Sequence, residues 1–508
     1  MRGSSIAAGT IFAAAANAAL PDGVVQFDVG RRQPYPKLGR RATANTDSTS
    51  ISNDATEGGY FATCKIGTPA QTLTLQLDTG SSDIWVPSSS ASVCRTTRES
   101  DGCSYGSFNS AESSTFVITG EDEFSIAYVD GSHSDGSYFN DVFSIGGSTV
   151  TNMTMGLGES TDINFGLVGI GYKTNEAIVG TEEDLSAAYN NLPLTMVQEG
   201  VIKTNAYSLW LNDLDASTGN LLFGGIDTAK YTGDLVKVRV YKDPNTGTYS
   251  SFIVALTSIQ AVSSSGSDTL TSTSFPIPAV LDSGTTLTYV PQDVAEEIWK
   301  EAGAVYNDEA GIALIPCSQA LSGGHFAFGF GGPDGASITV GMDELVMDLS
   351  TEEVTFPSGK YKGQDACAFG IQNTTGYPYL LGDTFLRSAY VVYDLVNNEI
   401  ALAQTDFNAT DSNIVAFPSS GAPIPSATAA PSQSMVTQTP TFTTPAFDAA
   451  SGFSSTATPT AAAGGSGSSS SNSGDSKSAA GTNAVPADLL RIGVISAVLF
   501  AAGGLLVL

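Results

Sequence analysis

Leu77-Asp78-Thr79-Gly80-Ser81-Ser82-Asp83-Ile84-Trp85-Val86-Pro87 returns later in the chain as Leu281-Asp282-Ser283-Gly284-Thr285-Thr286-Leu287-Thr288-Tyr289-Val290-Pro291. Leu, Asp, Gly, Val and Pro match in register, and such self-similarity marks an internal duplication. A second echo follows each copy, Leu167-Val168-Gly169 after the first and Leu380-Leu381-Gly382 after the second. Two homologous lobes are implied, each supplying one aspartate, Asp78 and Asp282, from the same place in the same loop.

Around these loops, residues 42–407 carry short β-branched and aromatic alternations punctuated by Gly, Asn and Asp, as in Gln71-Thr72-Leu73-Thr74-Leu75-Gln76-Leu77. Period-two alternation of this kind reads as half-buried strands. Helical patterns are few, Leu194 to Val201 and Val294 to Ala302 after Pro291. The expected architecture is all-β with a few short helices, in an N-terminal lobe over 42–235 and a C-terminal lobe over 236–407.

Composition narrows the chemistry. The 508 residues, 41% of them hydrophobic, are enough for two or three domains. Against 21 Lys plus Arg stand 51 Asp plus Glu, a formal charge of -30 that excludes nucleic acid and anionic membrane surfaces as natural partners. That surplus of carboxylates repels itself less in acid. Two histidines, His133 and His325, leave almost nothing for a histidine triad or a multi-histidine metal site. Five cysteines, Cys64, Cys94, Cys103, Cys317 and Cys367, lack the CxxC spacings of zinc and redox motifs and read as disulfide material. No metal and no cofactor is expected.

Both ends read as addresses. Arg2, the alanine-rich stretch Ile6 to Ala16 and the small residues up to Ala18 form a secretory signal over 1–18. Residues 19–41 read as a pro-segment ending in Lys37-Leu38-Gly39-Arg40-Arg41, with Arg31-Arg32 as a second dibasic choice. From 408 to 488 the chain turns to Ser, Thr, Ala, Pro and Gly, a composition too poor in apolar residues to bury a core of its own, and is expected to be an extended stalk. The apolar tail over 489–508 completes the signal for a glycosylphosphatidylinositol anchor, attached between about Asn472 and Ser478, with a short membrane span as the alternative.

The paired loops, together with Ile66-Gly67-Thr68-Pro69, Ser125-Ile126-Ala127-Tyr128, Phe223-Gly224-Gly225-Ile226-Asp227 and Leu381-Gly382-Asp383-Thr384-Phe385-Leu386-Arg387 in order, resemble the pepsin-like aspartic proteases over residues 58–405. With the stalk and anchor signal the chain looks most like the fungal cell-surface branch, yapsins and candidapepsin-like enzymes. The resemblance implies a bilobal fold with the active site in the cleft between lobes, and a monomeric endopeptidase of proteins and peptides at the cell surface or outside it. It also implies catalytic roles for Asp78 and Asp282 and a substrate-covering flap at Tyr128. Thr79 and Ser283 would tie the two loops together through buried hydroxyls.

The residue types fit that chemistry. Hydrolysis without metal or covalent nucleophile needs one group to deprotonate water and another to protonate the carbonyl oxygen. Two adjacent carboxylates sharing one proton fill both roles and titrate as a pair. Gly80 and Gly284 leave room for backbone N–H groups to approach, and Ser81 and Thr285 offer hydroxyl donors to the outer oxygens. Asp130, two residues past Tyr128, either favours Lys or Arg beside the cleaved bond or simply supports the hairpin turn. Asp130-Gly131-Ser132-His133-Ser134-Asp135-Gly136 lacks the ligand ladder and terminal Glu of a calcium loop. Cys94 with Cys103 would close a small loop and Cys317 with Cys367 would pair in the second lobe, leaving Cys64 as a small buried hydrophobe. Asn152, Asn373 and Asn408 begin Asn-x-Thr acceptors for glycosylation. The rival function is an inactive wall-binding or adhesion protein on the same fold.

Overall fold

The computed structural model describes residues 20–31, 59–95, 102–128, 131–216, 218–272, 274–308, 310–349, 354–433 and 444–454. The signal sequence, the Arg40-Arg41 site and the anchor tail lie outside them. Among the described residues, fourteen strands join in one continuous sheet. Beside its edge strand Thr428–Ala429 the order runs Tyr231–Arg239, Glu399–Thr405, Ala389–Asp394, Ala206–Trp210, Thr218–Phe223, Val25–Arg31. Strands from both halves therefore build a shared floor. The sheet continues through Tyr60–Ile66 into the N-terminal lobe, while the C-terminal lobe has its own eight-stranded sheet centred on Ile253–Ser263 and Ile277–Leu281. The mostly β, bilobal architecture expected above is the one observed.

Alternation explains the strands that carry the site. In Gln71–Asp78, Leu73, Leu75 and Leu77 are buried while Thr72 faces solvent, so one face joins the core and the strand delivers Asp78 at its end. Helices are short, as expected. Leu192–Gln198 replaces the pattern at 194–201, and Gln292–Ala302 buries Val294, Ala295, Ile298, Trp299 and Ala302 on one face before Gly303 ends it in the left-handed region, φ 82°.

Three boundaries differ from the sequence reading. The strand Val25–Arg31 lies inside the stretch read as a pro-segment, paired antiparallel from Val25 opposite Phe223 to Gly30 opposite Thr218. Its alternation of Val25, Phe27 and Val29, all buried, with Gln26 and Asp28 makes it a sheet strand. The lobe division at 235/236 falls within Tyr231–Arg239, because that strand belongs to the shared floor. The stalk expected from 408 is packed as far as Ser454 wherever it is described. Ile414–Ala416 pairs with Gly225–Asp227, Thr428–Ala429 pairs with Tyr231–Arg239, and Phe417, Ile424, Ala449 and Phe453 are buried. A segment too poor in apolar residues for its own core can still seat single side chains in a core supplied by others.

Cys94–Cys103 and Cys317–Cys367 are disulfide-bonded, and Cys64 is free and buried, its thiol pushed up by burial. The landmark Arg387 is fully buried. Its Nε donates to a Glu344 carboxylate oxygen and an Nη to the Glu344 carbonyl at 2.5 Å, pinning the turn after Leu381-Gly382 to the C-terminal lobe.

Candidate active site

Each lobe builds its aspartate the same way. Gln71–Asp78 runs parallel to Gly166–Gly169 with Asp78 opposite Gly169, and Ile84–Pro87, beyond the loop, pairs antiparallel on the other side of the same short strand. In the second lobe Ile277–Leu281 runs parallel to Tyr379–Leu381, and Thr288–Pro291 returns on its far side. The two echoes singled out in the sequence are thus the short strands around which each aspartate loop folds.

Asp78 and Asp282 have no exposed surface. Gly80 N–H donates to Asp78 Oδ1 at 2.7 Å and the Ser81 hydroxyl to Oδ2. Gly284 N–H donates to Asp282 Oδ1 at 2.9 Å and the Thr285 hydroxyl to Oδ2 at 2.7 Å. The two carboxyls converge: a Cβ on Gly80 would lie 2.5 Å from Asp282 Oδ1, and one on Gly284 would lie 2.4 Å from Asp78 Oδ1. Only glycine leaves that room.

The hydroxyls lock the loops crosswise. Thr79 Oγ1 accepts from Ser283 N–H at 2.9 Å and donates to the Leu281 carbonyl at 3.1 Å; Ser283 Oγ accepts from Thr79 N–H at 3.2 Å and donates to the Leu77 carbonyl at 3.1 Å. The contact is symmetric and buried. Burial first, then the Asp282 charge, holds Asp78 well above the usual carboxylate range, and burial raises Asp282, against hydrogen bonds from Thr285 and Gly284 that favour its charged form. The pair accordingly retains a proton and an ionised partner together.

Tyr128 closes the strand Val117–Ala127, which pairs with His133–Ile145 in a hairpin. Its hydroxyl accepts from Trp85 Nε1 at 2.7 Å, so the hairpin is tied to the strand that follows the Asp78 loop. Asp130 lies outside the described residues. Asn152 and Asn408 are exposed and Asn373 is half-buried.

Two supporting groups went unrecognised in the sequence, Asp83 and Glu176. Asp83 accepts from Tyr189 Oη at 2.6 Å, Tyr138 Oη at 3.3 Å and Ala177 N–H at 2.7 Å. Tyr138 belongs to the strand His133–Ile145 of that hairpin, so Asp83 joins the hairpin to the Asp78 loop. Glu176 is fully buried, accepts only Tyr189 N–H at 2.8 Å through Oε2, and leaves Oε1 without a partner. Burial and then the charge of Asp83 push its carboxyl up to about 10. Its neighbour Asn175 donates to the Gly80 carbonyl at 2.8 Å, which carries the cluster to the edge of the dyad.

Two lobes, each offering a buried aspartate in the same cradle and locked through each other's hydroxyls, define an aspartic protease, and a profile of the eukaryotic aspartyl proteases matches residues 59–405. The chain belongs to that family. It is similar to the probable aspartic-type endopeptidase opsB of Aspergillus oryzae, 41% identical over 408 residues that cover 80% of this chain and 81% of that protein. Aspartic proteinase yapsin-3 of Saccharomyces cerevisiae is 32% identical over 424 residues, covering 81% and 78% respectively. Barrierpepsin of the same yeast is 33% identical over 396 residues, 72% and 65%. The chain is an aspartic endopeptidase of the pepsin-like fungal branch, acting on protein or peptide substrates.

Proposed function

We propose that Asp78 and Asp282 together activate one water molecule for attack on the scissile carbonyl. The ionised member of the pair takes the water proton as its oxygen bonds to the carbonyl carbon, and the protonated member gives its proton to the carbonyl oxygen. Collapse of the tetrahedral diol returns a proton to the leaving nitrogen and restores the shared proton. The Tyr128 flap excludes bulk water and orients the chain being cut. The observation that supports this most is the convergence of the two carboxyls in mirrored cradles.

Purified enzyme assayed on a peptide library should be most active in acid, be blocked by pepstatin and be indifferent to EDTA. Inhibition by the chelator with none by pepstatin would replace the dyad with metal chemistry.

Secretion through the 1–18 signal and lipid anchoring of the stalk complete the proposal, and the supporting feature is the small-residue, polar-spacer, apolar-tail order of the C-terminus. Phosphatidylinositol-specific phospholipase C should move the enzyme from the detergent to the aqueous phase. Retention in detergent with Leu508 still attached would make the tail a membrane span instead.

A further inference from the structure

Beyond the catalytic body, residues 444–454 lie along the C-terminal lobe in a seat built for them. Phe453 is fully buried with its ring 5.1 Å from that of Phe326, and Lys300 Nζ stands 3.4 Å from the centre of the Phe447 ring. Ser263 Oγ donates to the Ala449 carbonyl at 2.6 Å and Ser265 Oγ to the Asp448 carbonyl at 2.7 Å. At the centre, Asp268 takes two backbone N–H groups of the segment, Ala446 at 3.0 Å on Oδ1 and Ala449 at 2.8 Å on Oδ2.

Beside Asp268 lies Glu301, from the helix Gln292–Ala302, only 1% exposed. Among the described residues no amide or hydroxyl donor reaches either of its oxygens, and its carboxyl meets that of Asp268. A charge left there would be buried without compensation. A proton on Glu301, pointing to Asp268, satisfies both groups and leaves Asp268 ionised for the two amides.

We propose that residues 444–454 are a strap latched to the C-terminal lobe by a proton shared between Glu301 and Asp268, and that loss of this proton as the pH rises releases the strap. The charges facing Glu301 are Asp268, Lys300 on its own helix and Asp448 on the strap. Burial, and then the contact with Asp268, raises Glu301 to about 8. Asp268 goes the other way: its burial is outweighed by hydrogen bonds, from Ala449 N–H foremost, that favour the charge.

The sign follows from linkage. Undocking the strap hydrates Glu301 and returns it toward its ordinary 4.5, so docking takes up one proton between that value and about 8. Docking is at full strength below the lower value. Across the window its equilibrium constant falls about tenfold per pH unit, and above it the constant levels off at its lowest value.

Hydrogen exchange of the peptide 444–454, corrected for intrinsic rates and measured in the full chain carrying Asp78→Asn to prevent self-digestion, tests this directly. Protection should fall about a hundredfold between about pH 5.5 and 7.5, while Glu399–Thr405 keeps its protection. Glu301→Gln should hold the strap with no pH-dependent change, and Glu301→Met, which keeps the bulk without the charge, gives the same reading should the glutamine chain not fold. A flat profile in the parent, or an equal fall in the Glu301 variants, overturns the latch.

Discussion

Asp78→Asn should lower kcat/KM by on the order of 10^4-fold while leaving the thermal midpoint unchanged or raised. The amide oxygen of Asn can still accept the Gly80 N–H, and the Ser81 hydroxyl can rotate to accept from the new NH2 group, so the cradle survives. What disappears is the exchangeable proton and the repulsion between two buried carboxyls. Removing that repulsion does not cost stability, and it separates a chemical loss from a folding loss. Asp282→Asn should behave alike because its cradle is the same. Residual activity above about a hundredth of the parent in either variant would remove that residue from the proton relay.

Between about pH 5 and 7 the enzyme should lose roughly 3 kcal/mol of folding stability through Glu176 alone. The folded state holds the Glu176 proton up to about 10, against an ordinary value of 4.5. Above the ordinary value the unfolded chain therefore binds fewer protons than the folded one, and stability falls as pH rises. Asp83 is raised in the same direction by burial, opposed by its hydrogen bonds from Tyr189, Ala177 and Tyr138. Glu176→Gln keeps an acceptor for Tyr189 N–H and a donor on the other side, without a proton to lose. Its urea-unfolding free energy should be nearly flat over the same range, and equal slopes in the two proteins would place the pH sensitivity elsewhere. The damage in the parent should reach Asn175 and the Asp78 loop, so that raising the pH loosens the support of Asp78.

The dyad was legible in the sequence because its chemistry requires the same short loop twice, and Asp, Gly and a hydroxyl at fixed offsets are each demanded by a neighbour one to three residues away. Cradles of that kind are local. Asp83 and Glu176 were not legible, since they meet only after the flap hairpin and the turn at Tyr172 fold over the first loop. Read singly, an Asp after two serines and a Glu between Asn and Ala look like surface groups. The hydrogen bond from Trp85 to Tyr128 was not legible either, because it depends on how two distant strands face each other. The packed C-terminal segment was hidden by averaging: its composition is that of a stalk, and the few side chains that seat it, Phe417, Ile424 and Phe453, are too sparse to show a period.

The strand Val25–Arg31 bears on what leaves the cell as one particle. Both dibasic pairs fall between Gly30 and Tyr60, positions where the chain leaves and re-enters the shared sheet, with Gly30 opposite Phe61 and Arg31 opposite Tyr60. Were the chain cut at either pair, as the sequence leads one to expect, the cut would sever the connection but none of the rungs from Val25 to Gly30 that join this strand to Thr218–Phe223. A piece excised in this way would be retained as a small second subunit, completing a floor that would otherwise carry an open slot between Thr218–Phe223 and Tyr60–Ile66. The enzyme would migrate as two chains under denaturing conditions and as one under native conditions.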